Sequence, residues 1–224
     1  MISIIIPSLN EAAAITDTLT ALQPMRERGQ QIILIDGGSH DNTISLAAPL
    51  VDSVLCSTTG RASQMNTGAA AANGDLLWFI HADTLMTPDT DMLLTNLLYD
   101  SKKEWGRFDI RLSGDAAALR IVERMMNWRS RLSGIASGDQ GIFIHRETFE
   151  RIGGFADIPL MEDIEICRRL KRAAGRPLCL SQKLTTSSRR WETHGILPTI
   201  ALMWRLRLAY WLGANPADLA RQYR

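Results

Sequence analysis

The sequence predicts an α/β fold, an open and mostly parallel (mixed) sheet flanked by helices, and three observations carry that prediction. Four short apolar runs, "ISIII", "QIILI", "SVLCS" and "LLWFI", are bounded by Pro, Gly, Asp or Ser, the pattern of strands buried on both faces of a parallel sheet. Segments with helical spacing separate the runs, and strand alternating with helix is the signature of an open α/β sheet. The conspicuous polar residues follow the strands, which is where ligands bind on such a sheet.

Taken in order, the first run meets Pro7 almost at once and has neither a basic leader nor a small-residue cleavage site, so it is a first strand and not a signal peptide. After Asn10, the residues Ile15, Leu19 and Leu22 recur at helical spacing until Gly29. Arg61 to Asn73 is an alanine-rich helix closed by Gly74, the usual residue just past a helix end. "TPDTDMLLTNLL" starts another, with Thr87 as N-cap, Pro88 at the first helical position and Asp89 in the first turn. "GRFDIRL" alternates as a strand, and a long helix follows with Leu119, Val122, Met125, Met126 and Leu132 on one stripe. "SGIASGDQGIFIH" is a glycine-bearing loop leading into a further strand, so the second half completes the same sheet. The stretch Gly195 to Ala214 is apolar but interrupted by Arg205 and Arg207, which argues against a transmembrane span. It is expected to form an amphipathic helix, docked on the protein or lying at a membrane interface.

At 224 residues, 46% hydrophobic and 22% charged, the chain is long enough for one sizeable core. One domain over 1–224 is expected, with a nucleotide-binding half at about 1–90, an acceptor and catalytic half at about 91–195, and the C-terminal helix at 196–224. A formal net charge of +1 provides no global field favouring nucleic acid. Cys56, Cys167 and Cys179 are odd in number, lack CxxC spacing and sit in apolar company, which points to buried thiols in a reducing, cytoplasmic setting.

Several residues could carry chemistry. Asn10 and Glu11 follow the first strand, where they could reach a sugar or base hydroxyl, or cap the next helix and complement its dipole. Asp36 ends the second strand before two glycines and serves either a nucleotide base or a turn. His81 and Asp83 end "LLWFI" two residues apart, a spacing that can place both side chains on one side of an extended segment, and a carboxylate beside an imidazole suits Mg²⁺ or Mn²⁺ with phosphate oxygens. Glu162 and Asp163 open the helix "EDIEICRRLKRAA"; they complement its dipole or supply a general base. "SSRRWETHG" gathers Arg189, Arg190, Trp191 and His194 in one short loop that could clamp a diphosphate, with His194 a metal ligand or a structural residue.

In this order along the chain, "SIIIPSLNEA", "ILIDGGSHDNT", "GRASQMNTGAAAANGDLLWFIHADT", "GDQGIFIHRETFERIGGF", "MEDIEICRRL" and "RRW" resemble the family 2 glycosyltransferases, whose fold is the nucleotide-diphospho-sugar (GT-A) type. "HADT", "GGF…MED" and "RRW" are similar to the subgroup labelled arsenosugar-biosynthesis glycosyltransferases. The resemblance implies that Pro7, Asn10 and Glu11 contact the nucleotide, that Asp36 reads the base, and that Gly60, Arg61 and Asn66 belong to the helix beneath the donor. It makes Asp83, beside Ala82, the last aspartate of a DxD metal motif and Asp163, beside Glu162, the general base. Gly153, Gly154 and Phe155 shape the acceptor side, and Arg190 with Trp191 end a Q/R-x-x-R-W element. His81 stands where the first DxD aspartate is usual, Gly37 replaces a second aspartate after Asp36, and Ser187 replaces the Gln or Arg before x-x-R-W.

The same resemblance implies an inverting, metal-assisted transfer from a UDP- or GDP-type sugar donor to an acceptor hydroxyl that the sequence does not specify. Two other readings compete. A nucleotidyltransferase would share the sheet but needs a glycine- and basic-rich N-terminal loop, which "IPSLNEA" lacks. A catalytically inactive nucleotide-sugar-binding module would explain the altered HxD.

Overall fold

The computed structural model describes residues 1–223. The first half of the chain lays down β1 (Ile2–Ser8), α1 (Ile15–Glu27), β2 (Gln31–Asp36), α2 (Thr43–Ala47), β3 (Ser53–Cys56), α3 (Arg61–Ala71) and β4 (Leu76–Phe79). Then come α4 (Thr90–Ser101), β5 (Trp105–Leu112), α5 (Ala117–Ser133), β6 (Phe143–His145), α6 (Arg146–Arg151), α7 (Glu162–Ala174), β7 (Leu178–Thr186), α8 (Arg189–His194), α9 (Ile196–Trp211) and α10 (Pro216–Tyr223). The seven strands form one sheet in the order β3-β2-β1-β4-β6-β5-β7. Only β6 runs antiparallel to its neighbours β4 and β5, so the expected mixed, mostly parallel sheet is what forms.

Strand alternation divides the core into two layers. Ile4, Ile6, Ile32, Leu34 and Trp78 pack with Leu19, Leu22, Leu94 and Leu98 of α1 and α4, whereas Ile5, Ile33, Ile35, Leu77 and Phe79 pack with Ala69 of α3, Phe149 of α6 and Ile166 of α7. A period of two buried on both sides requires helices on both faces. At Gly68 an added Cβ would lie 2.5 Å from Ile35 and Ile5 side chains, so glycine lets α3 settle closely on the sheet.

The site is positioned by a topological switch. From β1 the chain steps to β2 on one side, while β4 lies on the other, and the loops leaving β1 and β4 diverge to open a crevice at their carboxyl ends. Pro7 is tolerated in this central strand because β1 pairs with β4 only as far as Ile5, leaving no ladder partner on that side for the missing N–H.

Several elements differ from expectation. The fourth helix begins at Thr90 rather than beside Thr87, whose carbonyl instead accepts from Thr90 N. The C-terminal region is two helices, α9 and α10, separated at Gly213 with φ +94°. Arg189 to His194 form the short helix α8, not a loop. On α5, Leu119 and Val122 are buried while Met125 and Leu132 are exposed, and of the thiols expected in the core Cys167 is buried, Cys179 half-buried and Cys56 exposed at the end of the edge strand β3.

Candidate active site

The loop after β4 is held from both sides. Thr18 Oγ1 of α1 donates to Ala82 O at 2.8 Å, Thr84 N donates to His81 O at 3.2 Å, and Leu85 exchanges backbone hydrogen bonds with Thr185 of β7 at 2.8 Å. Ala82 packs into the core, and His81 and Asp83 both line the cleft. The two residues whose polarity stood out at the end of an apolar strand are thus placed by a turn that the core itself grips.

A cleft of about 1110 Å³ opens at this end of the sheet. Pro7, Glu11, Arg61, His81, Ala82, Asp83, Glu162, Asp163, Arg190, Trp191 and His194 all line it, so most of the expected site residues come together. Three do not. Asp36 is 2% exposed and its carboxylate accepts from Gly38 N, Ser39 N and Ser39 Oγ, so it holds the turn after β2. Asn10 sits at φ 55°, donates its backbone N–H to Ser39 Oγ and accepts from His40 N, tying the loop after β1 to the loop after β2 rather than capping α1. Asn66 donates to Phe155 O and accepts from Phe155 N at 2.8 and 2.9 Å, fastening the Gly154–Phe155 turn to α3.

His81 has a partner that sequence reasoning missed. Its Nδ1 lies 3.0 Å from Asp139 Oδ1, and a Cβ on Gly138 would meet His81 Nε2 at 2.6 Å, so the glycine of "SGDQG" makes room for the ring. Burial works against ionised Asp139, but the hydrogen bond from His81 and the charges of His81, Arg61 and Arg207 outweigh it and hold the carboxyl below its ordinary value. The only signal was Asp139 in a glycine-bearing loop, which is also an ordinary turn composition.

Asp163 and Glu162 open α7 in different environments. Asp163 accepts from Gly138 N at 3.1 Å and from Ile164 N at 2.7 Å, which fixes the direction of its carboxylate at the cleft wall. Glu162 is 7% exposed; burial and the charge of Asp163 push its carboxyl up, against the opposing pull of Arg61. Arg61, at the start of α3, retains exposed surface within the cleft walls, and Glu162, Asp139 and Asp163 raise its guanidinium despite desolvation. Arg190 donates to Tyr223 O at 2.7 Å and stacks 3.7 Å from the Tyr223 ring centre, closing the cleft from the C-terminal side. Trp191 is a half-buried anchor packed on Ile110, Leu112, Leu119 and Val122.

The donor set decides what metal could be held. Among the described residues no three His, Cys, Asp or Glu side chains converge, so His81, Asp83 and His194 do not form the expected three-ligand set, and His194 is exposed with Nδ1 3.2 Å from Arg190 O. Glu11 Oε2, however, is sealed from solvent with no hydrogen-bond donor among the described residues; Arg189 stands 3.7 Å away. Burial and the charge of Asp83 push the Glu11 carboxyl up. Two carboxylates whose charges act on each other fit a hard cation that keeps waters and takes the remaining oxygens from a substrate's phosphates, and they do not fit a closed protein cage.

A mixed α/β sheet with this cleft at its switch point defines a GT-A type fold. Residues 3–141 match the family described as "Glycosyl transferase family 2", and the chain belongs to that family. An uncharacterised glycosyltransferase of Mycobacterium tuberculosis is 35% identical over 94 residues, 39% of this chain and 36% of that protein. The poly-beta-1,6-N-acetyl-D-glucosamine synthase of Staphylococcus aureus is 28% identical over 108 residues, 45% of this chain and 26% of that one. These matches span about a third or less of the relatives' lengths. Among solved structures, the mannosyltransferase PcManGT from Pyrobaculum calidifontis, in complex with GDP-Man and Mn²⁺, superimposes with TM-score 0.67 at 19% identity over 99% of this chain and 68% of that one. The M. tuberculosis glucosyl-3-phosphoglycerate synthase with Mn²⁺ and UDP-glucose gives 0.64 at 19% identity, covering 83% and 70%. The narrower arsenosugar subgroup rests on the sequence motifs alone.

Proposed function

We propose that this chain transfers a sugar from a nucleoside-diphosphate donor to an acceptor hydroxyl by single displacement, inverting the anomeric carbon. The observation that supports it is one cleft lined from both halves of the chain: Glu11, Arg61 and Asp83 from the first, Glu162 and Asp163 from the second. Asp163, oriented by Gly138 N, takes the acceptor proton. The acceptor oxygen then bonds to the anomeric carbon as the bond from that carbon to the diphosphate oxygen breaks, and the nucleoside diphosphate leaves with both electrons. Arg61 faces the developing negative charge. Asp83 with Glu11 would hold Mn²⁺ or Mg²⁺, which supplies charge neutralisation at the diphosphate when bound. His81, paired with Asp139, orients the loop that carries Asp83. Relatives in this fold bound to UDP- or GDP-sugars support the donor class.

The test is release of nucleoside diphosphate from UDP- and GDP-sugars with Mn²⁺. Asp163→Asn should keep donor binding and lose transfer by roughly 10²-fold or more, as for loss of a general base. Unchanged turnover would overturn the assignment, and pyrophosphate release would mean nucleotidyl transfer instead. The exposed apolar side chains of α9 and its C-terminal end, Leu197, Trp204, Leu208, Trp211 and Leu212, support a peripheral contact with a membrane surface.

A further inference from the structure

We propose that Arg129 and Arg207 form an anion subsite on the acceptor side of the cleft, and that the acceptor is an amphiphile carrying a phosphate or carboxylate beside an apolar body. This rests on the glycosyltransferase reading and names the class of its second substrate. Both arginines line the cleft. Among the described residues Arg129 Nη2 is sealed from solvent and has no hydrogen-bond acceptor, and leaving a charged donor unsatisfied is costly enough that native proteins seldom do so without a reason. Burial pulls the Arg129 guanidinium down to about 10, with the like charge of Arg207 second and Asp163 opposing. Two guanidinium groups that line one cleft and repel each other make a place where an anion relieves both desolvation and repulsion.

Both arginines come from the second half of the chain. Arg129 is on α5 and Arg207 on α9, helices that meet where Met126, Ile196 and Ile200 pack on Leu119 and Val122. The arginines at the diphosphate side already have partners: Arg61 faces Glu162 and Asp139, Arg189 approaches Glu11, and Arg190 is held by Tyr223. Asp163 acts on Arg129 and Arg207 acts on Asp139, which sets the pair beside the proposed base. The wall around it is apolar: Met125, Trp128, Leu132, Met203 and Trp204 line the same cleft, with Trp128 66% and Trp204 58% exposed. A plain sugar acceptor has no use for such a wall, whereas a hydrocarbon or ring system attached to an anion fills it.

Tryptophan fluorescence reads this directly, because Trp128 and Trp204 are in the wall. The probes are n-decyl phosphate below its micelle concentration, inorganic phosphate, and neutral n-decyl glucoside. Wild type should bind decyl phosphate at least about tenfold more tightly than either of the others, since each lacks one half of the recognition. Arg129→Gln and Arg207→Gln should each weaken decyl phosphate by about tenfold and leave UDP affinity within about twofold, the UDP measurement doubling as a check of folding. Equal affinity of decyl phosphate for wild type and both variants overturns the subsite. Inorganic phosphate binding as tightly as decyl phosphate overturns the amphiphile, as does decyl glucoside doing so. Absence of UDP binding to wild type, with the decyl phosphate pattern intact, removes the glycosyltransferase reading and leaves the subsite standing.

Discussion

At Glu162, burial and the adjacent Asp163 charge oppose ionisation while Arg61 favours it, and the net direction is upward from 4.5. The folded state therefore prefers the neutral acid. Stability from that preference is fully present below 4.5 and is lost as the pH rises through the raised folded value. Glu162→Gln imitates the neutral form, so its melting temperature should match wild type near pH 4 and exceed it near pH 8 by about 2–4 °C, the size of about 1 kcal/mol in a chain of this length. A difference independent of pH would show that folding leaves the Glu162 carboxyl unshifted, and a variant less stable than wild type near pH 8 would show that Glu162 is held charged. Single residues were the least legible part of the sequence, and Asp36, Asn66 and His81 show why. Each could bind a ligand, and each is spent on a neighbour distant in sequence or on a turn: Asn66 on Phe155, His81 on Asp139 and Asp36 on Ser39. Residue type states what a side chain can do, and only packing decides what consumes it.

Elements were far more legible, because periodicity is local and burial enforces it. The alternation in "ISIII" and "QIILI" becomes two core layers without exception at Ile4, Ile5, Ile32 and Ile33. Ends and junctions were not, since they depend on tertiary ties such as that of α3 to the Gly154–Phe155 turn. Asn66 satisfies both backbone groups of Phe155, a residue 4% exposed. Asn66→Ala leaves those groups without partners and should cost about 1–3 kcal/mol. Amide exchange confined to Gly154 and Phe155 should accelerate along with the loss of melting temperature. Unchanged exchange there would mean that the turn holds itself and that the tie to α3 is incidental.

For the whole molecule, a net charge of +1 gives no long-range attraction to an anionic bilayer, so any membrane contact has to come from apolar burial with local arginines assisting. The described residues contain no helix long and apolar enough to cross a membrane. Instead, α9 and the residue after it leave Trp211 and Leu212 each 71% exposed, on the same helix that brings Arg207 to the cleft. A surface lying in the interface would deliver an amphiphilic acceptor along the apolar wall without lifting it into water. Fully burying a side chain of this size contributes about 1.5–3 kcal/mol, so two of them account for binding that a sedimentation assay resolves. The protein should co-sediment with phosphatidylglycerol-containing vesicles, and Trp211→Ser with Leu212→Ser should reduce partitioning by about tenfold or more, given partial insertion. Raising salt roughly tenfold above a low-salt buffer should weaken binding by only about two- to threefold if apolar contact leads, and by much more if the arginines do. Equal partitioning of wild type and the double variant would remove α9 as the contact, and no partitioning at all would leave the acceptor to reach the cleft from solution.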